Sequence, residues 1–308
     1  MSAISVSQLC KSYDGRQAVN ELSFEVQKGE TFALLGPNGA GKTTTIEILE
    51  GYRKADSGAI SVLGLNPQAD GAELKRRTGL VLQTTALEPE LTIRETISAF
   101  ARLYDTPRDI ETVLADVDLA QLQDNRVGNL SGGQKRRLEI ALGIVGDPEL
   151  IFLDEPTTGL DPEARRKIWK LIQRLNGNGC TIVLSSHYMD EVQALANHMA
   201  IMVNGQIAAE GRPHELQRQH CTHSTVRFDA GNKLPLGFPA KLAPDTVLRD
   251  GRAELVVEDP TAVLNILTQW AQDTGYDLSS ISVTRQSLEE IYLQLVSQRQ
   301  VNAQDETP

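Results

Sequence analysis

The sequence is poor in cysteine. Its 308 residues hold three, Cys10, Cys180 and Cys221, too few and too widely spaced for a thiolate metal motif, and such sparse usage suggests a reducing compartment. No apolar run approaches the ~20 residues that span a bilayer. The start, Met1-Ser2-Ala3-Ile4-Ser5-Val6, lacks a basic segment followed by an apolar run, so no secretory signal is expected. Basic charge is also short. The formal net charge is −11, which argues against the basic face of a general nucleic-acid binder and against a polybasic membrane anchor. The chain alone is expected to be soluble, and work at a membrane would need a partner to hold it there. What remains is ordinary globular composition, 40% hydrophobic and 23% charged, at a length that suits one large domain plus a smaller one.

Against that background one stretch carries chemistry. Gly36-Pro37-Asn38-Gly39-Ala40-Gly41-Lys42-Thr43 fits the phosphate-loop pattern G-x-x-x-x-G-K-[ST]. The apolar run Phe32–Leu35 before it reads as a buried strand, and Thr43–Leu49 reads as the start of a helix. Glycines let the backbone wrap so that successive N–H groups point inward and form an anion nest, to which the helix N-terminus adds its positive dipole end. Lys42 supplies a point charge for the β- and γ-phosphates, and the Thr43 hydroxyl can ligate Mg²⁺. A chance glycine-rich turn is the competing reading, and the strand before and helix after speak against it.

A second helix start has the same chemistry. In Leu130-Ser131-Gly132-Gly133-Gln134, Ser131 suits an N-cap and the glycines expose N–H groups at the head of a helix running from Lys135 to Val145. A plain helix cap would look the same. Leu150–Leu153 is a continuous apolar strand ending in Asp154-Glu155, and carboxylates at the carboxyl end of a parallel strand lie where open α/β sheets bind ligand. Asp154 would hold the Mg²⁺ hydration shell and Glu155 would orient or deprotonate a water. The next apolar strand, Thr181–Ser185, leads into Ser186-His187, where a histidine can reach a γ-phosphate; a satisfied surface histidine is the alternative. His198, His214, His220 and His223 show no ligand spacing.

Two residues stay open on position alone. Tyr13, beside the turn Asp14-Gly15, is either an adenine-stacking ring or an ordinary aromatic at a strand end. Gln83, after the short strand Leu80–Leu82, could reach a metal and report loop movement, or be a solvated polar residue. Between Thr92 and about Val145 the apolar spacing is helical, with Pro107 expected in the first turn of a helix. Asp161-Pro162 is expected to start another helix, and Asn204-Gly205 a type I′ hairpin turn. Residues 214–225 read as a polar connector, followed by strands near 225–228, 246–249 and 253–258 and helices near 261–273 and 287–298.

In this order and spacing, the motifs of about residues 3–215 resemble the nucleotide-binding subunit of ATP-binding-cassette (ABC) transporters. A phosphate loop alone would fit many NTPases, but LSGGQ between it and an apolar strand ending in Asp-Glu is specific to that family. The resemblance implies an α/β fold of the P-loop NTPase type: a mixed sheet core, an antiparallel β subdomain and a helical subdomain, with a small C-terminal α+β accessory domain. The expected division is a 1–215 ATP-binding domain, with a helical insert at about 88–145, and a 216–308 accessory domain. The family roles fall on Glu155 and His187 for catalysis. ATP contacts fall on Tyr13, on Gly36, Pro37, Asn38, Gly39, Ala40, Gly41, Lys42, Thr43 and Thr44, on Ser131, Gly132, Gly133 and Gln134, and on Asp161. Thr43, Gln83 and Asp154 fall at Mg²⁺. The implied activity is ATP hydrolysis driving export through a separate integral membrane permease, at the cytoplasmic face of the inner membrane. In the family the phosphate loop and the signature lie at opposite edges of a cassette, so Ser131 and its neighbours would meet the ATP of a second copy in a head-to-tail homodimer. A single cassette, and the segment Ser287-Leu288-Glu289-Glu290-Ile291-Tyr292-Leu293, look most like bacterial multidrug and antibiotic-resistance exporter subunits. The competing class is a non-transport cassette acting on nucleic acid or ribosomes. The single phosphate loop, the single LSGGQ and the acidic charge speak against it, and no nucleic acid is expected as a partner.

Overall fold

The computed structural model describes residues 1–82, 85–220 and 223–305, without the side chains of 298 and 300–305. Gln83 and Cys221 therefore lie outside the described residues. The chain divides into two compact units, one of Met1–Pro213 with the segment from Val296 onward, the other of His214–Leu295.

Three antiparallel strands open the larger unit. They are β1 (Ser2–Tyr13), β2 (Arg16–Gln27) and, after β3 (Thr31–Leu35) and α1 (Lys42–Leu49), β4 (Ser57–Val62), in the order β2-β1-β4. Alternating burial along β2 puts Val19, Leu22, Phe24 and Val26 inside, as the alternation of its sequence requires. After α2 (Gly71–Arg77) comes β5 (Thr78–Val81), and then the helical run α3 (Ile93–Ala101), α4 (Ile110–Asp116) and α5 (Gly132–Ile144). Pro107 does not begin a helix. α4 starts at Ile110 instead, capped by Asp109, whose carboxylate accepts from the Thr112 N–H at 3.0 Å. A side-chain acceptor outcompetes the fixed φ of proline for the helix start.

The central sheet adds β6 (Leu150–Asp154), β7 (Thr181–Ser186), β8 (His198–Val203) and β9 (Gln206–Gly211), with α6 (Pro162–Gly177) and α7 (Met189–Leu195) between them. Its order is β5-β6-β7-β3-β8-β9, parallel except for β9, which folds back on β8. Every residue of β3 and β6 is buried, the signature of strands covered on both faces. Asn204 and Gly205, both at positive φ, make the hairpin between β8 and β9. The mixed sheet, the antiparallel sheet and the helical run implied by the resemblance are all present.

Residues 214–225 are not a connector throughout. Helix α8 (Pro213–His220) occupies most of that stretch, with Leu216 its one buried residue. The smaller unit then has a four-stranded antiparallel sheet, β11 (Thr246–Arg249), β12 (Arg252–Val257), β10 (Ser224–Asp229) and β13 (Ser282–Arg285) in that spatial order. α9 (Pro260–Thr274) lays Val263, Leu267 and Trp270 into a core with Val226, Phe228 and Leu255. The last helix is α10 (Leu288–Asp305). Among the described residues no helix is long and apolar enough to cross a membrane.

Candidate functional site

The sheet register gathers part of the predicted set, the phosphate loop, Asp154-Glu155 and His187, at one end of the sheet. Leu35 at the end of β3 stands opposite Ser186 of β7, and Ser185 stands opposite Asp154 of β6. The phosphate loop, the Asp154-Glu155 pair and His187 therefore leave the carboxyl ends of adjacent parallel strands, where open α/β sheets bind ligand.

Backbone geometry dictates the glycines of the loop. Gly41 caps α1 at φ 100°, and a Cβ there would lie 2.3 Å from the Ala18 carbonyl oxygen. At Gly36 a Cβ would stand 2.4 Å from the carbonyl oxygen of Met202. No side chain caps the head of α1. Lys42, 5% exposed, points its amine back into the loop and donates to the carbonyls of Gly36 at 2.8 Å and Pro37 at 3.2 Å. Burial pushes its pKa down, against the pull of the Glu155 and Asp154 carboxylates. The Thr43 hydroxyl donates to Asp154 Oδ2 at 3.4 Å. Asp154 is itself buried, with Oδ1 accepting from the Ser185 hydroxyl.

Glu155 has φ 46°, a left-handed backbone that non-glycine residues seldom adopt, and its N–H donates to Ser185 Oγ at 3.0 Å. Its carboxylate lies 3.1 Å from His187 Nδ1 and accepts from Thr158 Oγ1 at 3.1 Å. A carboxylate and an imidazole in hydrogen-bond reach, beside a buried ammonium and a hydroxyl–carboxylate pair, can bind an anion and take a proton from water. Thr43 and Asp154 offer oxygen donors that suit a hard cation such as Mg²⁺. Among the described residues no cluster of three or more His, Cys, Asp or Glu side chains could hold a metal.

The signature lies elsewhere. Ser131 caps α5, its hydroxyl accepting from Gln134 N at 3.3 Å while Gln134 Oε1 accepts from Ser131 N at 2.8 Å, a reciprocal capping box. Ser131, Gly133 and Gln134 line a cavity of about 190 Å³ with Asp161, and no residue of 36–44 lines it. Asp161 caps α6, accepting from the N–H groups of Glu163 at 3.0 Å and Ala164 at 2.9 Å. Tyr13 ends β1, with Lys11 Nζ 5.3 Å and Arg53 Cζ 5.5 Å from its ring centroid. Gln83 lies outside the described residues.

Sequence reasoning missed two residues that tie these parts together. Arg136, 6% exposed on α5, donates to the carbonyls of Leu82 (2.5 Å), Asp154 (2.9 Å), Glu155 (3.3 Å) and Pro156 (2.8 Å) and pairs with Glu139 at 2.6 Å. It fastens the signature helix to the ends of β5 and β6. Glu191 of α7 is fully buried and accepts from Thr157 Oγ1 (2.7 Å), Ser186 Oγ (2.6 Å) and Trp169 Nε1 (3.2 Å), joining the strand ends that carry Glu155 and His187. Burial raises its carboxyl pKa, a rise that those three donors only partly offset. A glutamate in a helix reads as solvated, and an arginine beside a signature reads as surface, so neither carried a signal.

A protein-family model described as ABC transporter matches residues 19–158. The chain is 42% identical over 221 residues to the Nod factor export ATP-binding protein I of Rhizobium etli, 70% of each chain being covered. Its fold overlays a subunit of an ABC transporter complex from Clostridium perfringens with TM-score 0.66 at 30% identity, covering 71% of this chain and 91% of that one. A dimeric bacterial ABC transporter cassette overlays with TM-score 0.61 over 68% of this chain and 98% of its own, and at 24% identity that likeness is one of fold alone.

Proposed function

This chain belongs to the ABC transporter family as an ATP-binding, ATP-hydrolysing cassette, and from that premise we propose that it works as a head-to-tail pair driving export through a separate membrane subunit. The observation that carries the reading is the clustering of Lys42, Thr43, Asp154, Glu155 and His187 at one sheet edge, with Glu155 and His187 3.1 Å apart. Lys42 and the loop N–H groups would grip the β- and γ-phosphates, and Thr43 and Asp154 would hold Mg²⁺, which supplies charge neutralisation when bound. Glu155 would take the proton of the attacking water, and His187 would fix that carboxylate and face the γ-phosphate. Tyr13 would stack on adenine, and Gln83 would reach the metal.

Pairing follows from incompleteness. Ser131, Gly133, Gln134 and Asp161 line a cavity that no phosphate-loop residue lines, so with Gly132 they would complete the site of a second copy in an isologous dimer. ATP would close the pair by binding the closed form more tightly. Moving such an equilibrium from mostly open to mostly closed takes about 5 kcal/mol, within reach of several charge-assisted bonds to one γ-phosphate. A partner in the membrane is supported by an exposed apolar groove of about 620 Å³ whose lining includes Leu80, Leu82, Phe100 and Leu103. Such a surface is rarely left uncovered on a soluble monomer. The chain would then sit at the cytoplasmic face of the cell membrane. Export is the direction named for the Rhizobium etli relative. A multidrug or antibiotic cargo is the finer proposal, resting on the similarity of residues 287–293.

Phosphate release measured over a dilution series tests the pairing. ATP turnover per copy should fall as the chain is diluted, and turnover per copy that stays constant at the highest dilution would overturn it. Export is tested by co-purification with a membrane protein encoded beside this chain and by cargo uptake into inside-out vesicles.

A further inference from the structure

The apolar groove is lined by an acid with one buried oxygen that no described residue satisfies. Three glutamates line it: Glu47, Glu50 and Glu139. Glu47 is paired with Arg53 and Glu139 with Arg136. Glu50, at the C-terminal end of α1, is 8% exposed, and its Oε1 has no hydrogen-bond partner among the described residues. Among the described residues no lysine, arginine or histidine forms an ion pair with it, Lys75 on the same groove included. A buried carboxyl oxygen without a donor carries a desolvation cost that only a donor offsets. The walls beside it are apolar and open: Leu80 is 41% exposed, Leu82 44%, and Leu103 74%. A neutral protein surface needs neither feature. A surface that receives another chain uses both, apolar walls for area and one buried polar group for register.

We propose that the segment of the membrane subunit that docks in this groove carries one lysine or arginine side chain, which reaches between Leu80, Leu82 and Leu103 to hydrogen-bond Glu50. The proposal rests on the membrane-partner reading above and adds the chemistry that recognises the partner. The occupant is a cation rather than a neutral donor because two further carboxylates, Asp154 and Glu47, act on Glu50, and a cation draws its carboxyl into the ionised form. Burial, then Asp154, then Glu47 push the Glu50 carboxyl up to about 8. A cation relieves the repulsion from those two carboxylates, whereas a hydroxyl or amide satisfies the oxygen alone. The long apolar stem of lysine or arginine also suits a path between leucines to a buried acid.

The full chain is titrated by calorimetry with hexylguanidinium and, separately, with 1-hexanol, which shares the stem and lacks the charge. Wild type should bind hexylguanidinium about tenfold or more tightly than hexanol, the ratio given by one charge-assisted hydrogen bond. Glu50→Gln should lose that preference while hexanol affinity stays the same. Leu103→Ser should weaken both probes and keep the preference, which guards against a folding defect read as a lost contact. Equal binding of the two probes by wild type, or a preference that survives Glu50→Gln, overturns the proposal. So does a nucleotide-independent dimer of the chain that hexylguanidinium dissolves, since a second copy would then be the occupant. ATP turnover measured on the same samples separates the two readings: no turnover in wild type sinks the cassette function, and turnover with an unaltered preference sinks only the role of Glu50.

Discussion

Two helices in this chain begin on glycine-rich turns, and they satisfy their first N–H groups in opposite ways. At the head of α1 the capping residue is Gly41, which offers no side-chain acceptor. At the head of α5, Ser131 and Gln134 satisfy each other in a capping box. A helix leaves its first four N–H groups without internal partners. On the proposed reading the first helix would hold its donors for an anion bound within its own chain, with the Lys42 side chain beside them. The second is complete as a helix start, and on the proposed reading would offer the N–H groups of Gly132 and Gly133 to a ligand held by a second copy. On that reading the difference would separate a site that binds from a site that waits.

The largest effect should come from the residue that acts on what both helix ends would grip. Glu155→Gln should lower ATP turnover by about 10²–10⁴, the usual worth of a general base, while ATP stays bound and a dimer persists on gel filtration. Turnover at the wild-type rate would remove Glu155 from that role. Arg136→Ala should cut the link between the two regions. It leaves Glu139 and four carbonyls without their buried partner, at a cost of about 3–5 kcal/mol read by denaturant unfolding. A loss under 1 kcal/mol, on the order of an exposed pair, would show the clamp to be slack. Lys42→Ala should weaken ATP binding by about tenfold to a hundredfold, as the loss of a charge-assisted bond requires, and unchanged affinity would contradict the phosphate-loop reading. The smallest effect belongs to Ser131→Ala. It should cost about 1 kcal/mol of stability and lower turnover without changing the ATP affinity of a dilute single copy, measured by nucleotide fluorescence. Weakened binding in the single copy would mean that the signature serves its own chain, and the contrast between the two helix starts would fail.

Much of the site was legible because its geometry is local. The pattern from Gly36 to Thr43 fixes a loop through backbone conformations that only glycine tolerates cheaply, and Ser131 with Gln134 three residues on is a cap readable from spacing alone. The strand ends at Asp154 and Ser186 could be placed because an apolar run stops there. The errors were also local competitions. Pro107 lost the helix start to Asp109, and the polar stretch after Pro213 became α8 by burying a single leucine.

Glu50, Glu191 and Arg136 were invisible for a different reason. Each is a charged residue on a helix, and composition assigns such residues to solvent. Whether one is buried depends on what packs across from it, and its partners are far off in the chain, as Thr157 is from Glu191 and Leu82 from Arg136. The sequence alone settled the chemistry available to this protein, because phosphate-gripping backbone and helix caps are decided within a few neighbouring residues. Tertiary structure alone decided which charges are taken out of water, which are left without a mate, and where an open apolar groove lies. Desolvation is a property of the whole packed neighbourhood, and no stretch of sequence contains it.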